Sequence, residues 1–507
     1  MAVQGLEVML PDGTLVVRNT DVTVRAGQVV ALLGPSGGGK STLLRAILDP
    51  DELRRRGYSV RWTTREVHAS ASYVPQRGAL FDHLDVAGNI ALAQTANGQP
   101  RDPARWLRAV DLEDAFDANG RSVGTLSGGQ AQRVAIARTL AAGRKLMVLD
   151  EPSVGLDPLA VRLLAQLIVR EARERQVGVI VITHDVSFAA GAADAILFLE
   201  PSNQRLFPVR DGAPGPAELL PAEQRAAEVA NLSGDLERLL ATERPAGARA
   251  EMRYVRMRAY PSALGVVGAV LRTVFQPRLF RDSLTVFARA LGQSLVRPLP
   301  FYAVVGTLLG YTVLYVIAKM SADVRAAAML RLVGGTYILA LAPPLSAILF
   351  AATSGNAVNA WLGSMQLGRQ LLALEGIGVP EQRYVWAPAW TALVVGYLVT
   401  VVGFVAAMTF GGWLLCNAFA VPNALAVLTS DILDPPPERV RFLVRALWLV
   451  GAYSLIIASV VVSRGVRHKD EANDVTRAMT SAVIVCTLAV VVLELASVVA
   501  LFSLRAR

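Results

Sequence analysis

Two groups of residues in this 507-residue sequence have the types and spacing for phosphate chemistry. The stretch Gly34-Pro35-Ser36-Gly37-Gly38-Gly39-Lys40-Ser41-Thr42 fits GxxxxGK[ST] and lies between the apolar run VVALL and the helical-looking STLLRAIL. Glycines let successive backbone N–H groups turn toward an anion, and the following helix directs its positive end at the same point. Lys40 would neutralise the β- and γ-phosphates of a nucleoside triphosphate, and the Ser41 hydroxyl would bind Mg²⁺. Further on, the apolar run 147–149 ends in Asp150 and Glu151. Asp150 can hold Mg²⁺ through water, and Glu151 can polarise an attacking water. Alone, such an acid pair would read as a solvated strand end; its place downstream of a glycine loop points to catalysis.

Chemistry of this kind relies on positioning and needs a strand-loop-helix frame. Up to about residue 243 the sequence supplies one, with VVALLG, LMVLDEP and VIVITHD each bounded by turn or polar residues. After about residue 300 the apolar runs lengthen toward the roughly 20 residues that a helix needs to cross a bilayer. Five spans are expected, at 299–320, 326–352, 388–415, 441–463 and 482–503, with the second and third long enough to tilt or bend. Helices are expected because the runs lack the alternation of barrel strands. The fold class is therefore an α/β P-loop domain at 1–243, a basic linker at 244–298, and an all-α transmembrane domain of about five helices at 299–507. Buried helices of a large soluble protein are the alternative.

Composition agrees with a membrane protein: 53% of residues are hydrophobic. Residues 1–27 show neither a basic start nor an apolar core, so the N-terminus is expected in the cytosol. Arg464, Arg467, Lys469 and Arg477 then fall on the cytosolic side, as the positive-inside tendency prefers. The net charge of +9 gathers largely between Arg244 and Arg297, where contact with anionic headgroups explains it better than nucleic acid does. Cys416 and Cys486 have no disulfide or metal-type spacing and read as packing residues. Residues 201–221 and 245–247 read as breaks flanking a charged helix at 221–242. Phe280, Leu284, Phe287, Leu291 and Leu295 recur at helical spacing, which suggests an interfacial helix or a helix packed on the cytosolic domain.

Residues 1 to about 240 resemble the nucleotide-binding domain of an ATP-binding cassette (ABC) transporter. The matching pieces are GPSGGGKS, YVPQ ending at Gln76, LSGGQAQR at 126–133, VLDEP, GLD at 155–157 and ITHD carrying His184. The resemblance implies two such domains sandwiching two ATP molecules, each held by one subunit's glycine loop and the other's signature of Ser127, Gly128, Gly129 and Gln130. It further implies that Gln76 senses Mg²⁺ and the attacking water, that Asp157 links the two sites and that His184 clamps the γ-phosphate. The segment where that family usually stacks an aromatic on adenine, residues 9–14, has none here. Met9, Leu10 and Val16 can offer only apolar contact.

Residues 354–388, SGNAVNAWLGSMQLGRQLLALEGIGVPEQRYVWAP, resemble the cytosolic loop of MlaE-family permeases of phospholipid transporters associated with MCE proteins. Within it, 367–375 could form a short helix resting on the ATPase. Residues 471–485 resemble the approach to that family's last helix, and GALFDHLDVAGNI at 78–90 resembles its partner ATPase. Trp361 and Arg369 stand where the family commonly has Glu, and the loop at 417–440, with Pro435, Pro436 and Pro437, has no clear counterpart. The resemblance implies an ATP-driven lipid transporter of the bacterial inner membrane, working as a homodimer. The MCE protein and any STAS-type regulator would be separate chains. An exporter of hydrophobic small molecules and a non-transporting ATP-driven switch for an envelope enzyme are the alternatives. Glu494, in the last span, is the nearest candidate for an intramembrane anchor, or it reaches water or pairs with Arg505.

Overall fold

The computed structural model describes residues 1–503 apart from 36–37, 49, 56, 68–70, 76–78, 113–119, 201–202, most of 211–261, 275–282, most of 321–334, 434, 436–438 and 470. Ser36, Gly37, Gln76, Arg505, the breaks near 201–221 and 245–247, and most of the expected 221–242 helix therefore lie outside the described residues. The chain forms two compact units, one of residues 1–260 with 368–380, the other of 261–367 with 381–507.

The first unit is built on strands whose composition dictates their depth. β3 (Val29–Leu33), β7 (Leu146–Asp150) and β8 (Gly178–Ile182) are buried throughout, as expected of central parallel strands covered on both faces. Their sheet runs β10-β9-β3-β8-β7-β6, with β6 at Ala71–Val74, β9 at Ala195–Glu200 and antiparallel β10 at Arg205–Arg210. A second, antiparallel sheet joins β1 (Ala2–Met9), β2 (Leu15–Thr23), β4 (Ser59–Arg61) and β5 (Thr64–Glu66). α1 (Lys40–Leu48) packs Leu43, Leu44 and Ile47 into one apolar cluster with β1 and β2, and α2 (Pro50–Arg55) follows it. The opposite cluster takes Ile90 from α3 (Val86–Ala96), Leu107 from α4 (Pro103–Ala109), Ile136 from α5 (Gly128–Ala141), Ile168 from α6 (Pro158–Arg175) and Phe188 from α7 (Val186–Ala192).

The segment 79–90, singled out for its resemblance to Mla-type ATPases, is tied to the helix after the signature. Asn89 is fully buried; its Oδ1 accepts from the Phe81 N–H at 2.8 Å, and its Nδ2 donates to the Phe81 carbonyl at 3.0 Å. Arg138 of α5, also fully buried, donates to the Ala79 carbonyl at 2.9 Å and lies 4.5 Å from the Phe81 ring. Burial pulls this guanidinium down to about 9.

The second unit is helical. α8 (Ala263–Val274) precedes α9 (Leu284–Leu291), which runs through a π turn into α10 (Leu299–Met320). α11 (Thr336–Phe350) continues through another π turn into α12 (Asn356–Leu367). In the first unit lies α13 (Gln370–Gly376), and the second unit resumes with α14 (Ala387–Ala418), α15 (Ala424–Leu433), α16 (Val440–Gly465) and α17 (Ala472–Ser503). Among the described residues, five stretches are long and apolar enough to cross a membrane: Leu284–Lys319, Thr336–Leu367, Gln382–Ala418, Val440–Gly465 and Ala472–Val499.

These bounds correct three expectations. The first stretch begins at Leu284 instead of at 299. The second stretch runs on to Leu367, so residues 354–367 are helix instead of loop, and the last begins ten residues earlier than 482. Polarity marks 354–367 as a loop, but two of its amide side chains donate to carbonyls of or beside α16. Asn359 donates to the Val461 carbonyl at 3.0 Å and Gln366 to the Val466 carbonyl at 2.7 Å. The 284–295 face also differs in kind. Ser283, Val286, Ala290 and Ser294 are buried within the second unit, while Leu284 is exposed and Phe287, Leu291 and Leu295 are half-buried. Small residues pack on protein and large apolar ones look outward, and the segment is continuous with the first apolar stretch, Leu284–Lys319.

α10 and α14 approach until backbones touch. A Cβ on Gly310 would collide with the Met408 carbonyl, and one on Gly411 with the Thr307 carbonyl, the small-residue packing by which membrane helices gain close contact. Glu494 pairs with Arg445 of α16, which also donates to Ser497 at 2.9 Å. Lys469, one of the four cations expected on the cytosolic side, is 3% exposed and donates to the carbonyls of Arg464, Gly465 and Arg467 at the end of α16. Cys416 and Cys486 are buried thiols. Trp361 is buried with the Arg289 guanidinium 5.7 Å from its ring.

Candidate functional site

Four strand ends of the central sheet carry the site. The chain leaves β3 at Gly34 and enters α1 at Lys40. Gly39 sits at φ +95°, where a Cβ would stand 2.5 Å from Val16 Cγ1, so the loop can close under β2 only with glycine there. The apolar contact anticipated for Val16 thus lies against the loop itself. Lys40 is 7% exposed, and its Nζ donates to the Gly34 carbonyl at 2.7 Å and the Pro35 carbonyl at 2.9 Å. Burial pushes its pKa down while the charges of Glu151 and Asp150 push back up. An ammonium held this way can exchange carbonyl bonds for phosphate oxygens. In the same turn of α1, Ser41 is exposed and Thr42 buried.

Asp150 closes β7, and its Oδ2 accepts a hydrogen bond from the Tyr73 hydroxyl of β6 at 2.6 Å. Burial, and after it the Asp150 charge, hold that phenol well above its usual range, so it remains a donor. Glu151 follows at φ +50°, a left-handed conformation uncommon for a residue with a side chain. Its N–H donates to the Ile182 carbonyl at 2.8 Å, which pins it beside the end of β8. His184 lies just past β8, with Nδ1 2.8 Å from Glu151 Oε2 and its backbone N–H 3.4 Å from the same oxygen. A carboxylate only accepts, so Nδ1 carries the proton and Nε2 faces outward from a side chain 61% exposed. Glu151 keeps Oε1 for another partner.

The signature begins a helix. Ser127 Oγ accepts from the Gln130 N–H at 3.3 Å while Gln130 Oε1 accepts from the Ser127 N–H at 3.1 Å, a reciprocal capping box at the start of α5. Ser127 and Gly128 are exposed, and a Cβ on Gly129 would stand 2.9 Å from Leu156 Cδ2. Asp157 caps α6, accepting from the N–H groups of Leu159 and Ala160, each at 3.0 Å. A local structural use of Asp157 therefore exists beside the linking role that the family resemblance implies.

Helix α13 belongs to the same compact unit as the ATPase strands. Gly376 abuts the backbone of Tyr73, and Asn97 donates from Nδ2 to the Ile377 carbonyl at 2.7 Å. Arg144, in contact with Gly378, donates to the Ala71 carbonyl at 3.1 Å. Neither Asn97 nor Arg144 lies in a motif, and Tyr73 is visible in sequence only as the first letter of YVPQ.

Against known families, the ABC transporter model matches residues 17–154 and the permease MlaE model matches 287–500. The arginine transport ATP-binding protein ArtM of Bacillus subtilis is 34% identical over 222 residues, covering 42% of this chain and 90% of that protein. The chain belongs to the ABC transporter family. It joins the family's ATPase to an MlaE permease domain in one polypeptide. The zinc import ATP-binding protein ZnuC of Paramagnetospirillum magneticum is 38% identical over 192 residues, covering 37% of this chain and 69% of that protein. The dimeric post-hydrolysis structure of the ATP-binding cassette MJ0796 bound to ADP and Pi is 24% identical, with a TM-score of 0.32, over 41% of this chain and 99% of that one. The transporter binds ATP and couples its hydrolysis to transport through a membrane-embedded region.

The residues in place also fit Mg²⁺. A carboxylate and a hydroxyl are hard oxygen ligands suited to it. Asp150 Oδ2 is taken by Tyr73, and among the described residues no protein donor engages Oδ1.

Proposed function

We propose that this transporter moves phospholipid or a related lipid across or out of a bacterial inner membrane, as a homodimer served by a separate MCE-domain protein and a STAS-type regulator. The observation that carries the lipid reading is the match of 287–500 to permease MlaE. Arginine and zinc are named for those two ATP-binding proteins and assign no cargo to this chain.

In the proposed cycle the backbone N–H groups of the loop's glycines and the Lys40 ammonium hold the triphosphate. Mg²⁺ held by Ser41, Asp150 and Gln76 supplies neutralisation of charge on the β- and γ-phosphates. Glu151 takes a proton from the attacking water at Oε1, while His184 fixes Oε2 through its Nδ1–H and, as the imidazolium with a second proton on Nε2, donates to the γ-phosphate. Ser127 and Gly129 meet the γ-phosphate held by a second copy, Gly128 and Gln130 complete the signature around it, and Asp157 links the two sites. Closing two ATPases draws on α13, and each chain's permease follows its own α13 by covalent connection.

The full chain, reconstituted in phospholipid vesicles with its MCE partner, is expected to transfer a fluorescent phospholipid only when ATP is hydrolysed. ATPase activity indifferent to both lipid and partner, with no lipid movement, refutes the reading.

A further inference from the structure

β6 is an edge strand of only four residues, yet Tyr73 within it touches two functional parts at once. On the backbone side, a Cβ on Gly376 would come within 2.8 Å of the Tyr73 carbonyl oxygen and 3.1 Å of its nitrogen. At Gly376 the helix meets the strand's backbone with no side chain of its own in between to absorb a displacement by changing rotamer. On the side-chain side, the phenol reaches Asp150 Oδ2 at 2.6 Å. A tyrosine ring is rigid beyond two torsions, so movement of its backbone reaches the hydroxyl nearly undiminished. β6 is tied a second time, since Arg144 bonds the Ala71 carbonyl and touches Gly378. On the other side Tyr73 is in parallel register with Val148 of β7, two residues before Asp150.

We infer that Tyr73 is a positioning residue joining the 370–378 segment to the Asp150 carboxylate, so that the placement of that segment sets how Asp150 Oδ1 is presented to the metal. Tyr73 acts through Asp150, the carboxylate that its hydroxyl reaches. The inference rests on the reading of Asp150 as a metal-holding group, and it gives the permease-derived helix a route to the site.

The test uses the full-length protein in nanodiscs, with Tyr73→Phe removing only the hydroxyl. Two measurements besides hydrolysis are read: Mn²⁺ affinity in the presence of a non-hydrolysable ATP analogue, by electron paramagnetic resonance, and amide hydrogen exchange over 370–378 with and without that complex. Thermal melting and metal-free analogue binding at wild-type values establish that the variant is folded. Loss of a partner that orients a metal ligand typically weakens metal affinity about 10–100-fold, and a tenfold loss is expected here. The nucleotide-dependent exchange change over 370–378 should disappear with it. Gly376→Ala should shift Mn²⁺ affinity in the wild-type background and have little further effect in the Tyr73→Phe background, the non-additivity of coupled residues. Unchanged Mn²⁺ affinity in Tyr73→Phe overturns the inference, as does an intact exchange response. Asp150→Asn separates the two levels: if it too leaves Mn²⁺ affinity unchanged, the assignment of Asp150 to the metal falls, and the inference with it.

Discussion

Replacing Glu151 by Gln tests the catalytic geometry with least disturbance, because the side chain keeps its shape and reverses the polarity of one atom. In the wild-type site both donors on this carboxylate, His184 Nδ1 at 2.8 Å and the His184 N–H at 3.4 Å, converge on Oε2. They will select the amide oxygen of Gln for that place and thereby turn its NH₂ to the position of Oε1. A donor then stands where an acceptor must receive the proton of the water. General-base catalysis by a positioned carboxylate contributes about 10²–10⁴-fold, which at 1.36 kcal/mol per tenfold is about 3–5 kcal/mol of barrier. Turnover should fall by that factor and become hard to detect. ATP binding should persist, since Lys40 and the loop backbone are untouched, and the variant should accumulate as an ATP-bound dimer. Phosphate release by a coupled enzyme assay and binding of a fluorescent nucleotide on the same preparation measure both halves. Wild-type-like phosphate release would remove Glu151 from the base role.

Three further outcomes follow from packing and hydrogen bonding. Gly310→Leu drives a side chain into the Met408 carbonyl, so the α10–α14 contact should lose at least the roughly 1–3 kcal/mol typical of overpacking; thermal inactivation in detergent should begin at lower temperature. Asn97→Ala removes the 2.7 Å bond to the Ile377 carbonyl and should raise hydrogen exchange over 370–378 while lowering transport more than basal ATPase activity. Arg138→Leu leaves the Ala79 carbonyl without its 2.9 Å donor in a fully buried place, a loss of about 1–3 kcal/mol that denaturant unfolding of the ATPase unit should report.

Much of the ATPase was legible because its chemistry is local in sequence. A glycine loop must follow a strand and open a helix, and an acid pair must end a buried strand, so letter order alone placed Lys40, Asp150 and Glu151. Tyr73 was hidden because its partner Asp150 lies 77 residues away and nothing in a tyrosine marks it as a donor to one carboxylate. Asn97 bonds a carbonyl 280 residues distant, a pairing that no periodicity encodes. In the permease, hydropathy found the spans but cut the second one short at 352. Hydropathy scores Asn359 and Gln366 as though they faced solvent, whereas each spends its amide on a carbonyl of or beside α16. Glu494 was visible as an intramembrane acid, but its partner Arg445, on a different helix, was not.

The capping box at Ser127 and Gln130 bears on the cost of association. Both bonds are made within one chain, so the first turn of α5 stands ready before a second copy arrives. Binding a preorganised turn spares most of the ordering entropy that a flexible loop would surrender on docking. The same economy gives Ser127 two duties. Ser127→Ala should weaken the helix start of the solitary ATPase by about 1 kcal/mol, the usual worth of a lost N-cap, before any contact with a neighbour's nucleotide is considered. Any measured effect of that substitution on turnover is therefore a sum, whose local part can be subtracted by melting the monomer.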